Sequence, residues 1–285
     1  MQCDITIARR VGSTFVHGLF KMAYDTDLTD AQWALIRPHI PRAKSGGRPR
    51  KTKMRRVIDA IMYVVTNGIK WRSLPRNFPP WQTVYRYFDM LQDRGRWRRI
   101  HYALYEQVRE ESGHEADPSL LIIDSQSVKT GKVVPNSTKG FDGGKRVKGR
   151  KRHVVVDSLG WLVEISVTQA NVHDTKGAIK VLEKYKKRTP KPKVEKIVGD
   201  KGYRGDMLKG FVRKAFKAKI SIGENHTSPE NGFVPATKRW LVERGFAWLG
   251  DYRRLIVDQE RHISNSTAMV RLAFIRLMLR RLKPL

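Results

Sequence analysis

The sequence predicts an α/β protein: a mixed five-stranded sheet flanked by helices, preceded by a small helical domain. Three observations carry this. Helical periodicity dominates up to about residue 110. Short β-branched apolar runs bounded by turn residues begin at 120. From there strands come first in succession and then alternate with helical stretches.

Residues 1–21 show no periodicity and read as a loosely ordered extension, with Met22 of MAYDTDLTDAQW as the natural start. Thr29 or Asp30 can cap a helix running to about residue 39. PRAKSGGRPRKTK is rich in Gly, Pro and charge and reads as a linker or basic arm; its Gly-Arg-Pro-Arg stretch also suits an A·T-rich minor groove. Val57, Ile58, Ile61, Met62 and Val65 recur at helical spacing over 54–67, and Gly68 ends that helix. A second helix is predicted over 81–92. The pair resembles a helix-turn-helix, with Arg76, Gln82, Tyr85 and Arg86 around the second helix as DNA contacts; an ordinary packed helical hairpin is the alternative.

LLIIDSQSVK is a short apolar strand. RKRHVVVDSLGWLVEISVTQA reads as two strands joined by a turn at 157–160. Asp174 is expected to cap a helix through 187, and Asp206 one through 218. Between and after them PKVEKIVGDKGY and AKISIGE supply two further strands. A long final helical region is expected from Pro235, which suits a first helical turn. Strand, strand, strand, helix, strand, helix, strand, helix is the order of a ribonuclease-H-like fold.

The chain has 285 residues with 57 Lys+Arg against 27 Asp+Glu, a formal charge of +30. Such an excess points to a polyanionic partner, most often nucleic acid. The charge is concentrated: eight Lys/Arg and no acid over 42–56, seven with only Asp142 over 139–152, and five with no acid from Arg271 onward. Arg48, Arg50 and Lys51 of the first run, and Lys148, Arg150, Lys151 and Arg152 of the second, are therefore candidate phosphate contacts. The single Cys3 excludes an intramolecular disulfide framework and a Cys-rich zinc site. No apolar run approaches the roughly 18 residues of a bilayer span, so the protein is expected to be soluble and cytoplasmic. The chain contains neither a Walker-type loop nor HExxH, which counts against an ATPase and a zinc hydrolase.

Two acids stand at the ends of apolar strands. Asp124 follows Leu121, Ile122 and Ile123; Asp200 follows Ile197, Val198 and Gly199. A desolvated carboxylate is costly unless it is paired or binds a cation, and strand ends are where sites form in open sheets. A third acid is expected from the last helical region, where Glu243 in RWLVERGFAWL is the candidate. Converging carboxylates with hard oxygens suit Mg²⁺ or Mn²⁺. Singly, Asp124 and Asp200 also read as strand-end residues, and Glu243, four after Arg239, as half of a surface salt bridge. Asp157, Asp174 and Asp206 read as turn and cap residues, and His173 as a polar loop histidine.

LTDAQWALIRPHIP, GGRPRK, GIKWRSLPRNFPPWQTVYRYF, IIDSQSVK, GRKRHVVVDSLG, ANVHD, VGDKGYRG and VERGFAWLGDYRRL, in that order, resemble transposases of the bacterial insertion-sequence-5 family. The resemblance runs from about Met22 to Leu282. It implies a ribonuclease-H-like core with an Asp-Asp-Glu triad, which falls on Asp124, Asp200 and Glu243, and two Mg²⁺ ions about 3.5–4 Å apart flanking the scissile phosphate, with Mn²⁺ able to substitute. It further implies binding of double-stranded DNA at the element's terminal inverted repeats and in the target, cleavage and strand transfer, and a homodimer or larger assembly in the bacterial nucleoid. The expected division is 1–21 extension, 22–110 DNA-binding domain with a basic arm at 42–56, and 111–285 catalytic domain. The chain departs from the wider superfamily's Tyr-x2-Arg-x3-Glu-x6-Lys signature. Arg239 and Glu243 fit, but Ala236 and Gly250 take the Tyr and Lys positions, leaving Arg253 and Arg254 as candidate replacements for the missing cation. The rival expectations are a nuclease without strand transfer and a non-enzymatic DNA-binding regulator.

Overall fold

The computed structural model describes residues 24–43, 46, 49–189, 192–223, 226–228, 232–234 and 240–284. The expected extension at 1–21, Arg48, Arg239 and the helix start at Pro235 lie outside them.

Local sequence accounts for the first helices. Thr29 caps α1 (Asp30–Ile36): its hydroxyl accepts from the Gln32 amide at 3.1 Å, and the Gln32 side chain accepts from the Thr29 amide at 3.3 Å. This reciprocal pair satisfies two amides that the helix leaves unpartnered. α2 (Met54–Asn67) buries Val57, Ile58, Ile61, Met62 and Val65 and stops at Gly68, where φ is +69°. A Cβ there would lie 2.8 Å from the Arg253 Cβ, so the position needs glycine for space as well as for conformation. α3 (Trp81–Asp93) and α4 (Arg96–Glu111) follow. The connection between α2 and α3 runs from Gly68 to Pro80 and contains a 3-10 turn at Trp71–Ser73. A helix-turn-helix joins its helices by 3–4 residues. The pair is instead a packed hairpin with a long connection.

The sheet is built from β1 (Leu120–Lys129), β2 (Gly140–Asp142), β3 (Val147–Val156), β4 (Leu162–Gln169), β5 (Lys196–Gly199) and β6 (Lys219–Ile222). Its order is β4-β3-β1-β5-β6, with the short β2 on β3. β1, β3 and β4 form an antiparallel meander; β5 and β6 join in parallel. The two parallel additions arrive through α5 (Asp174–Arg188) and α6 (Asp206–Phe216), as parallel neighbours require crossovers. This curled mixed sheet is compatible with a ribonuclease-H-like domain. β2 is one strand more than the five expected. A separate hairpin of β7 (His226–Ser228) and β8 (Gly232–Val234) was also not foreseen. The expected single final helix is three: α7 (Trp240–Gly250), α8 (Arg253–Ile256) and α9 (Ile263–Leu282).

One hydrophobic core runs from Leu28 in the first helices through the sheet to Leu282. α9 is buried along nearly its whole length and packs on α4, α2, α3 and β4. The basic run from Arg271, counted above with the others as a mark of a polyanionic partner, is therefore partly internal. Arg271 is paired with Glu164 inside, and Arg276 donates to the Thr26 and Asp25 carbonyls at 2.9 and 2.8 Å. Only Arg280, Arg281 and Lys283 of that run are exposed.

Candidate active site and nucleic-acid interface

β1 and β5 lie side by side with Ile122 opposite Val198. Two residues further along each chain stand Asp124 and Asp200. They line one small cleft together with Ile123, Gly199 and Gly223. Each carboxylate is anchored by a nearby amide: the Ser125 N–H donates to Asp124 at 2.7 Å and the Gly202 N–H to Asp200 at 2.9 Å. Both acids are half-buried. The cleft is small, with a volume of about 10 Å³. Two hard carboxylates on its walls fit a divalent cation such as Mg²⁺ or Mn²⁺. Glu243 is exposed on α7, the helix packed on β1 and β3, and does not line this cleft. Among the described residues no three Asp, Glu, His or Cys side chains gather closely enough to hold one ion. The fold thus brings together two members of the expected triad and leaves the third on a neighbouring helix.

A second group of charges adjoins the cleft. The Ser125 hydroxyl, next to Asp124, donates to Asp174 Oδ1 at 2.7 Å. Lys151 Nζ lies 3.1 Å from Asp174 Oδ1 and 3.2 Å from Asp142 Oδ2, and the Ser127 hydroxyl donates to Asp142 at 2.5 Å. Lys145 Nζ donates to the Ser125 carbonyl at 3.0 Å. Burial raises the Asp174 carboxyl, but the Ser125 hydroxyl and the Lys151 ammonium outweigh it and hold it below the usual range. Asp142 is held lower, at about 2: burial opposes, while the Ser127 hydroxyl, the Lys145 amide and Lys151 prevail. Tyr203, 1% exposed, is buried beside this group. Burial, then the charges of Asp124, Asp174 and Asp200, keep its phenol protonated far above the ordinary tyrosine range.

Asp174 is therefore not the cap it was expected to be. His173 takes that role, its Nδ1 accepting from the Thr175 amide at 3.3 Å, and the Asp174 carboxylate turns to the sheet. Likewise Gly205, not Asp206, precedes α6. Asp157 does serve its turn, accepting from the Leu159 and Trp161 amides at 3.0 and 2.9 Å. Sequence reasoning missed Ser125, Lys151 and Tyr203 as neighbours of the site. For Asp174 the available signal was ANVHD, in which two consecutive residues can cap but only one is needed.

Of the expected DNA contacts, Arg50, Lys51, Arg76, Gln82, Arg86, Lys148 and Arg253 are exposed and Tyr85 is half-buried. Arg42, Arg50, Arg86 and Arg94 line a groove of about 640 Å³ between the arm and α3. Four expected contacts are corrected. Arg150, 0% exposed, pairs with Asp258 at 3.2 Å and donates to the Glu260 carbonyl at 2.7 Å. Arg152 is buried and donates to the Leu255 carbonyl at 2.8 Å. Lys151 is held by its two carboxylates, and Arg254 is buried against Glu260 at 2.6 Å. A charged run on a strand alternates between two covered faces, so it does not form a surface stripe.

Comparison with known proteins identifies the family. The family model described as "Transposase DDE domain" matches residues 115–278, and that described as "Putative transposase of IS4/5 family" matches residues 28–101. The chain is 28% identical over 157 residues to the "Putative transposase for insertion sequence element IS402" of Burkholderia cepacia, covering 53% of this chain and 71% of that protein. It is 29% identical over 102 residues to "Uncharacterized protein y4sN" of Sinorhizobium fredii (strain NBRC 101917 / NGR234), covering 36% of this chain and 75% of that one. No solved structure matches the chain.

Proposed function

Because the chain belongs to the DDE transposases of the IS4/5 family, we propose that it binds the terminal inverted repeats of an insertion sequence, cuts the DNA at the element ends and joins the freed 3′-hydroxyls to target DNA. The observation that carries this is that Asp124, within β1, and Asp200, directly after the adjacent parallel β5, wall one cleft. In this reading they hold two Mg²⁺ ions, Mn²⁺ serving as well, with Glu243 brought in from α7 as the third ligand. Bound divalent ions supply Lewis-acid activation of the attacking oxygen and stabilise charge on the leaving 3′-oxygen.

The chain's own residues do the rest. Asp124 sits within β1 and Asp200 directly after β5, so two negative charges are carried by adjacent rigid elements and cannot drift apart as loop carboxylates would. Lys148 and Arg253 are exposed cations for the DNA backbone. Arg76, Gln82 and Arg86 face DNA from α3 and the segment before it, and Arg50 and Lys51 from the arm, which makes residues 22–110 the DNA-binding part and 111–285 the ribonuclease-H-like catalytic part. Two element ends must be held at once, so the working form is a homodimer or larger assembly on DNA, in the nucleoid.

The test is purified protein with Mg²⁺, linear DNA carrying the source element's ends, and a target plasmid. Joined products are expected, and Asp124→Asn abolishes both cutting and joining while DNA binding survives. Cuts without joining leave a nuclease, and a mobility shift without cuts leaves a regulator. Cleavage retained by the Asp124→Asn protein, in a preparation shown free of other nucleases, overturns the assignment.

A further inference from the structure

We infer that Asp174 is a positioning residue: from the first turn of α5 it fixes the cleft acids Asp124 and Asp200 relative to each other. Three observations place it there. Its Oδ1 accepts the hydroxyl of Ser125, whose own amide holds Asp124 at 2.7 Å, so α5 is tied to β1 one residue from the acid. Its Oδ2 faces the turn that Asp200 caps: a methyl on Gly202 would lie 3.6 Å from Asp174 Oδ2 and 3.1 Å from Asp200 Oδ1. Both carboxylates therefore flank the same glycine. Finally, Tyr203, buried in that turn, lies within the fields of Asp124, Asp174 and Asp200 together.

Helix capping does not account for this carboxylate, because His173 already supplies the cap. Nor does solvation, because its side chain is 28% exposed and shares a buried ammonium with Asp142. Lys151 explains how a third acid can stand beside two others. Its charge is bound between Asp174 and Asp142, so Asp174 contributes geometry to the cleft without adding a full unbalanced negative charge. The arrangement is that of outer partners that orient metal-binding side chains, whose loss generally costs 10–100-fold in metal affinity or activity. Asp174 can act so only if Asp124 and Asp200 are the catalytic pair, and the experiment separates the two ideas.

The experiment titrates Mn²⁺ into the DNA-free full-length protein, followed by electron paramagnetic resonance, alongside end cleavage and DNA affinity. The variants are Asp174→Ala, Asp174→Asn, Ser125→Ala and Asp124→Asn. Asp174→Ala is expected to weaken Mn²⁺ binding and to slow cleavage, each by about 10–100-fold, at unchanged DNA affinity. Asp174→Asn keeps an oxygen acceptor for the Ser125 hydroxyl and recovers most of both losses. Ser125→Ala, which leaves α5 untouched, loses in the same direction and carries the test should Asp174→Ala fail to fold. Parent-like Mn²⁺ affinity and cleavage in Ser125→Ala, or in a folded Asp174→Ala, overturn the positioning role while leaving the catalytic pair intact. Parent-like Mn²⁺ affinity in Asp124→Asn removes the catalytic pair itself, and the positioning role falls with it.

Discussion

The two faces of β3 carry nearly the same residues to opposite ends. Arg150 and Arg152 point to the face covered by α8 and the segment after it, where Asp258, the Glu260 carbonyl and the Leu255 carbonyl receive them. Lys151 and His153 point to the face covered by α5. Lys151 joins the acids beside the cleft, and His153 packs on Gly177 with its Nε2 2.9 Å from the Thr168 hydroxyl. One face uses cations to fasten the last third of the chain to the sheet. The other uses Lys151 to balance carboxylates beside the cleft. Adjacent positions in one basic run thus differ in what their loss costs, and the difference follows from the pleat alone.

The largest expected effect is on the fastening face. Arg150→Ala leaves Asp258 buried without its guanidinium, and removing one partner of a buried pair costs about 3–5 kcal/mol. Urea denaturation should show a loss of that size. A loss under about 1 kcal/mol would mean that the two faces are energetically alike. A smaller effect separates the other face by pH. Burial lowers His153 from 6.5 to about 4, so the native state leaves it neutral while the unfolded chain takes up a proton. Its share of stability is therefore complete above about pH 6.5 and lost as pH falls towards 4. His153→Gln should lose less stability than the parent between pH 7 and pH 4.5, by on the order of 2 kcal/mol. Some pH dependence remains in that variant, since burial also depresses His101. Identical pH profiles would remove His153 as a contributor. The smallest effect belongs to the exposed member of the run. Lys148→Ala should leave folding alone and make the slope of log K against log[salt] for DNA about 0.9 shallower. An unchanged slope means that Lys148 touches no phosphate.

These fates were only partly legible in the sequence. The bounds of β1 are legible in LLIIDSQSVK, but the strand-end position expected for Asp124 is not what the structure shows: the strand continues to Lys129 because Ser125–Lys129 stay paired with β3, and only the neighbour β5 ends beside the acid. β3, β4 and the turn between them were equally plain, since Asp157 and Gly160 mark the reversal. What periodicity could not reveal was partnership at long range. The acid that receives Arg150 lies 108 residues away, so a count of local charge made the run look like surface. The same limit hid α9, where Arg271 and Arg276 interrupt an otherwise apolar helix and suggest exposure until Glu164 and the Thr26 carbonyl are found opposite them. In the site, Asp124 and Asp200 were readable because each is out of place on an apolar strand. Asp174 was not, because a plausible local duty concealed a distant one.

The placement of α9 has a consequence for biosynthesis. The first helices are made early, yet their core closes on the last helix, and Gln32 donates to the Lys283 carbonyl at 2.8 Å. A ribosome must therefore release the chain through α9 before the groove beside α3 rests on a finished support. Polypeptides cut short before α9 lack that support. By packing on α2, α3 and α4 as well as on β4, α9 couples completion of the first helices to completion of the sheet.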